Sequence, residues 1–169
     1  LSLERHATSK IRLFRDLSAI STLGFRGEAL PSIAAVSRMV LESRIEGEDI
    51  GVRVSVDGGR VKEVGPLGRD VGTTVTVQAL FYNVPARRKF LKGIDTEMRH
   101  IVGCVSHIAI AYPDIALILT HNGRSILRLS RGDRERRIEE VFGVDAEREV
   151  VEVEGGEEGI QIHGFFGRP

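Results

Sequence analysis

Gly24-Phe25-Arg26-Gly27-Glu28-Ala29-Leu30 is the stretch from which the rest of the chain is best read. Its two glycines permit close backbone approach and dihedrals that other residues avoid. A helical pattern follows directly, from Glu28 to about Val36, with Pro31 tolerable only in the first turn. A helix that starts after such a loop aims unpaired N–H groups and its positive dipole end at the loop. That arrangement suits a polyphosphate. It also suits an ordinary turn with Glu28 favourably placed in the first helical turn.

Upstream, Thr8-Ser9-Lys10 sets two hydroxyls beside an ammonium. Such a triplet can hold a phosphate through hydroxyl donors and a compact positive charge, or it is a solvated polar patch. Residues 16–23 read as a short helix or turn, with Asp16 and Ser18 as capping candidates. Downstream the period changes to two. Met39, Leu41, Val52, Val54 and Val56 alternate with polar residues, which marks half-buried strands. Asp57-Gly58-Gly59 reads as a hairpin turn, and Thr73 to Leu80 as a further strand. Asn83 and Pro85 break the pattern between Phe81 and Lys92.

Thr96 to Ala111 is the clearest helix, with Met98, Ile101, Val102, Val105, Ile108 and Ala109 on one face. Tyr112-Pro113-Asp114 stops it. Ile115 to Thr120 and Ser125 to Leu129 are strands around Asn122-Gly123, a strong hairpin signal. The charged run Arg131 to Arg137 opens a short helix ending near Gly143. Strands at Glu149 to Glu154 and Ile160 to Phe166 follow, with Gly155-Gly156 between them. The domain boundary is expected near Arg131. The abrupt ends, Leu1 and Gly167-Arg168-Pro169, read as an internal fragment of a longer chain.

Composition is ordinary for a globular protein: 41% hydrophobic and 28% charged residues. Lys plus Arg and Asp plus Glu are both 24, so no global field draws polyanions, and any nucleic-acid contact must be local. The single cysteine, Cys104, forms no internal disulfide, fits a reducing compartment and reads as a helix-core residue. No apolar run reaches the roughly 18 residues of a membrane-spanning helix, and no signal peptide is visible. The five histidines show no metal-ligand spacing.

Two further segments can carry chemistry. Thr73, in Gly72-Thr73-Thr74 at the start of a strand, has a hydroxyl that can bond a nucleobase or a buried water, or it is simply a good strand residue. Arg87-Arg88-Lys89 lies in a segment framed by aromatics. It either touches phosphates or faces solvent, with Phe81 and Phe90 as core anchors.

Taken together, His6-Ala7-Thr8-Ser9-Lys10-Ile11, the string GFRGEAL at Gly24 to Leu30, Gly72-Thr73-Thr74, and FYNVPARRKFL at Phe81 to Leu91 resemble the MutL family of DNA mismatch repair proteins. The likeness is strong from Leu3 to Leu91 and looser beyond. It implies an ATPase of the superfamily that unites gyrase, heat-shock chaperone, histidine kinase and MutL (GHKL). The expected fold class is α+β: a mixed β-sheet backed by helices over residues 1–131, followed by the start of an α/β transducer domain over 132–169.

By position, the resemblance implies that Thr8, Ser9 and Lys10 border the nucleotide where a mobile lid begins. Gly24, Phe25, Arg26, Gly27, Glu28, Ala29 and Leu30 become the phosphate-facing lid segment, and Thr73 reaches the adenine side. The cofactors implied are ATP and Mg2+. The family's catalytic glutamate and magnesium-binding asparagine lie on an earlier helix, so this chain holds no catalytic residue and no metal ligand, and Glu4 and Glu28 do not fill those roles. The lysine from the far end of the transducer domain is likewise outside the chain. The partners implied are a MutS-type mismatch-recognition protein, DNA bound without sequence preference, and a second N-terminal half in a homo- or heterodimer closed by ATP. The setting implied is intracellular, cytoplasmic or nuclear, without a membrane. The alternatives are a type II topoisomerase or chaperone ATPase of the same superfamily, against which Phe81 to Leu91 argues, and a catalytically inactive interaction module of the same shape.

Overall fold

The computed structural model describes residues 3–4, 7–11, 13, 16, 20, 22 and 24–167. His6, Ser18, most of the expected turn at 16–23, Arg168 and Pro169 lie outside the described residues. The chain forms two compact units, Leu1–Leu91 and Lys92–Pro169, each described by itself. The fold class is α+β, as expected from the sequence.

The first unit opens its regular structure with helix α1, Ala29–Ala35. Four strands follow, β1 (Arg38–Arg44), β2 (Gly51–Asp57), β3 (Arg60–Leu67) and β4 (Gly72–Gln78), in sheet order β3-β2-β1-β4. A one-turn helix α2, Pro85–Arg88, comes last. The alternation read from the sequence is realised. Met39 pairs with Val56 across β1 and β2, and Leu41 with Val54, so these side chains share a face. Ala34 of α1 closes over Met39 and Val56, and Leu3, Leu30 and Val54 pack against that cluster. The cover extends over one end of the face only, and Val52, Val64, Val75 and Val77 on the sheet are exposed.

The expected mixed sheet is antiparallel in every pairing among the described residues. The reason is local. Tight turns such as Asp57-Gly58-Gly59 and Asn122-Gly123 join only antiparallel neighbours, because a parallel pair needs a crossover of about a dozen residues or more.

The second unit begins with α3, Ile94–Ala111. Hairpin β5 (Leu117–His121) and β6 (Arg124–Leu129) follows, then α4 (Arg134–Phe142), α5 (Ala146–Glu149), and hairpin β7 (Val150–Glu157) and β8 (Ile160–Gly167). Helix α4 starts where Asp133 accepts a hydrogen bond from the Arg136 amide and stops at Gly143, whose φ of 68° is left-handed.

Within this unit Arg137, 1% exposed, donates to the carbonyls of Ala109, Tyr112, Pro113, Ile115 and Ser130 at 2.6–3.5 Å. Several expectations change here. Gly155-Gly156 is not the turn of the last hairpin. Both glycines are paired in β7, and Glu158-Gly159, both at positive φ, makes the turn. Cys104 is exposed rather than in a helix core. The buried side of α3 is centred on Ala109, while Ile101 and Ile108 are exposed.

Candidate functional site

The two segments flagged first in the sequence meet around one cleft. It is lined by Ala7, Thr8, Ser9 and Lys10 on one side and by Gly24 through Pro31 on the other, and encloses about 840 Å3. Gly27 makes the meeting possible. Its φ is +63°, and a Cβ there would fall 2.2 Å from the Ala7 carbonyl oxygen. Only a residue without a side chain lets these backbones touch. Lys10 extends toward Gly24, where a Cβ would stand 4.0 Å from its Nζ. Its own amide donates to Thr8 Oγ1 at 3.2 Å, which folds the triplet into a local turn. Thr22 Oγ1 donates to the Gly24 carbonyl, and the Arg26 guanidinium lies 5.3 Å from the Phe25 ring centre.

The donors facing this cleft are chemically those of an anion site: hydroxyls, an ammonium, a guanidinium and loop amides. Helix α1 is seven residues long, and no side chain caps its N-terminus. Leu30 lines the cleft and also packs on the core, which ties the loop to the sheet. A phosphate chain fits this donor set. Glu28 is the one carboxylate among the described lining residues, so by themselves they offer no all-protein cage for a divalent metal.

Known proteins resemble this chain in sequence and in fold. The chain is 45% identical over its whole length to the DNA mismatch repair protein MutL of Pelobacter propionicus and 48% identical over its whole length to that of Opitutus terrae. Over its whole length the chain is similar to part of these MutL proteins. It spans 28% and 27% of the length of those two relatives. Among solved structures, the Aquifex aeolicus MutL ATPase domain complexed with ADP is similar with a TM-score of 0.75 and 34% identity, over 94% of this chain and 61% of that one. The crystal structure of the N-terminal domain of a DNA repair protein matches with a TM-score of 0.66 and 27% identity, over 96% of this chain and 54% of that one. No family model matches.

In the first unit, Thr73 is not among the residues that line the cleft. It lies on edge strand β4, and its hydroxyl shares a hydrogen bond of 2.8 Å with Ser43 Oγ on β1. Ser43 carried no signal in the sequence, because its closeness to Thr73 depends on strand register. Arg87 and Arg88 form the exposed turn of α2, followed by Lys89. Phe90 is 79% exposed and anchors nothing to the core, contrary to the expectation. Tyr82 and Asn83 hold this segment instead. Tyr82 Oη donates to Asp57 Oδ1, Arg38 lies 5.2 Å from the Tyr82 ring centre, and Asn83 Nδ2 donates to the Ala35 carbonyl at 2.9 Å. The bond to Asp57 raises the Tyr82 phenol above the usual tyrosine value.

One histidine cluster was invisible to spacing. Register places His163 opposite Glu154 in the β7–β8 hairpin, and its Nε2 lies 2.8 Å from Glu152 while its Nδ1 lies 3.2 Å from Glu154. Each ring nitrogen already faces its own carboxylate, so the trio reads as a cross-strand polar cluster.

Proposed function

We propose that these residues form the lid side of the nucleotide site in a DNA mismatch repair ATPase. The contact of Gly27 with the Ala7 peptide carries the reading, because it gathers Thr8, Ser9, Lys10 and Gly24 to Leu30 around one cleft. The ADP named with the Aquifex aeolicus relative supports it. Lys10 and Arg26 offset phosphate charge, while Thr8, Ser9 and the loop amides donate hydrogen bonds. Thr73 serves the adenine side from the sheet. Residues up to about 131 belong to the ATP-binding domain, and 132–169 open the transducer domain.

In the whole protein, binding of Mg-ATP closes the lid over the phosphates and brings two N-terminal halves together as a homo- or heterodimer. Hydrolysis releases that clamp. The closed form recruits a MutS-type mismatch-recognition protein and contacts DNA without sequence preference, and Arg87, Arg88 and Lys89 supply an exposed basic patch for phosphates. Among the described residues no helix is long and apolar enough to cross a membrane. The proposed setting is inside the cell, where the DNA is.

Phosphoryl transfer to water needs an oriented water and metal-assisted charge neutralisation, which this cleft does not provide by itself. The 169 residues alone are therefore expected to show no magnesium-dependent ATP turnover above a Lys10→Ala control. The full-length protein is expected to turn ATP over, with Lys10→Ala weakening it. Turnover by the isolated chain above that control, or a full-length protein indifferent to Lys10→Ala, contradicts the proposal.

A further inference from the structure

Helix α1 lines the cleft at its front with Ala29, Leu30 and Pro31. What holds its rear end is a separate matter. The last four carbonyls of a helix have no partners within it. In α1 these are Ile33, Ala34, Ala35 and Val36, and every one is met. Ile33 takes the Ser37 hydroxyl at 2.7 Å, Ala34 the Gly59 amide at 2.9 Å, Ala35 the Asn83 side-chain amide at 2.9 Å, and Val36 the Phe81 amide at 2.7 Å. The next carbonyl, Ser37, takes the Gly58 amide at 3.0 Å.

These donors come largely from two segments that do not line the cleft: the Asp57–Gly59 turn and Phe81–Asn83. The segments are also fastened to each other. Tyr82 Oη donates to Asp57, and the Arg38 guanidinium lies over the Tyr82 ring with its Nε 3.9 Å from the Asp57 carboxylate. A Cβ on Gly58 would stand 2.8 Å from Tyr82 Oη and 3.3 Å from Asn83 Nδ2, so glycine is what lets this clasp close under the helix.

Among the described donors that reach these four carbonyls from the Asp57–Gly59 turn and from Phe81–Asn83, Asn83 alone acts through its side chain. The other two, Gly59 and Phe81, act through backbone amides. We propose that Asn83, oriented by the Tyr82–Asp57 clasp, is a positioning residue for nucleotide binding. It fixes the rear of α1 and so the direction in which Gly27 to Pro31 face the cleft. The FYNVPARRKFL string is thereby linked to the GFRGEAL string through seven helical residues. This inference rests on the nucleotide reading of the cleft.

The bond is exposed, so its share of overall stability is small, and its effect should show in binding rather than in melting. The test uses the full-length protein and a non-hydrolysable ATP analogue. Asn83→Ala and Asn83→Asp each remove the donor, and Tyr82→Phe loosens the clasp with little change of shape. Lys62→Gln, on exposed β3, is the control. The expected result is an affinity weakened by about three- to tenfold in the first three variants, the size of one lost hydrogen bond, with melting temperature nearly unchanged. Lys62→Gln stays within about twofold, the usual scale of a surface change. If Asn83→Ala does not fold, Asn83→Asp and Tyr82→Phe decide. Wild-type affinity in folded Asn83 and Tyr82 variants overturns the proposal alone, as does a lowered melting temperature with affinity intact. A wild-type protein that does not bind the analogue overturns the nucleotide reading, and this inference with it.

Discussion

Gly27→Ala is expected to remove most nucleotide affinity from the full-length protein, weakening an ATP analogue by about 100-fold or more, equivalent to about 2.7 kcal/mol. Two effects combine. The residue sits at φ +63°, where a side chain costs roughly 1 kcal/mol. The added Cβ would also stand 2.2 Å from the Ala7 carbonyl oxygen and 2.6 Å from its carbon. Those are backbone atoms, and they cannot turn aside as the end of a long side chain can. The strand of backbone carrying Thr8, Ser9 and Lys10 has to move away, and the cleft opens. Stability should change much less, since Ser9, Lys10 and Arg26 around the contact are exposed. Titration calorimetry with the analogue checks the affinity, and thermal melting checks the fold. Binding within about twofold of wild type would remove the claim that this contact builds the site, because differences of that size are ordinary for surface changes.

Arg137→Met is expected to destabilise the second unit by about 3–5 kcal/mol, the range found when one partner of a buried charged network is removed. The guanidinium, 1% exposed, joins the end of α3, the Tyr112–Ile115 connection and the end of β6 through five carbonyls. Glu140 lies 3.7 Å from its Nε and also accepts from the Ser130 amide. Methionine fills comparable space but takes this donor from the Ala109, Ile115 and Ser130 carbonyls, leaves Tyr112 and Pro113 with the Ile115 and Gly132 amides alone, and leaves Glu140 with Arg136, 3.4 Å away, as its remaining cation. Arg137→Lys should recover only part of the loss, because an ammonium cannot fork to so many acceptors. Denaturant unfolding followed by hydrogen exchange at Ala109 to Ile115 measures this. Lysine as good as arginine, or methionine harmless, would mean that the network is ornamental.

Much of the first unit was legible because one periodicity dominates it. Met39, Leu41, Val54 and Val56 alternate, glycines mark the turn at Gly58-Gly59, and the structure realises both. The cleft residues were legible as two motifs, though spacing could not say that Gly27 rests on Ala7, twenty positions earlier in the sequence. Failures share a cause. Arg137 sat in a charged run whose usual fate is solvent, and only tertiary packing shows that it is buried. Cys104 falls at helical spacing, yet the packed stripe of α3 is narrower than the apolar one, so it faces out with Ile101 and Ile108. Gly155-Gly156 looked like a turn, but a positive-φ pair at Glu158-Gly159 makes the turn and the two glycines continue the ladder. Ser43, Asn83 and the His163 cluster depend on which strands and loops become neighbours, which no local pattern encodes.

The central claim is that Gly24 to Leu30 close on a nucleotide's phosphates. Hydrogen exchange in the full-length protein, with and without a non-hydrolysable ATP analogue and magnesium, tests it most directly. Without nucleotide the amides of this segment should exchange rapidly, as expected of a lid drawn from the low-stability part of a fold. With the analogue they should gain strong protection, together with Thr8 to Lys10, while the edge strand Arg60–Leu67 stays unchanged. Equal exchange in both states, with the analogue demonstrably bound, would contradict the claim.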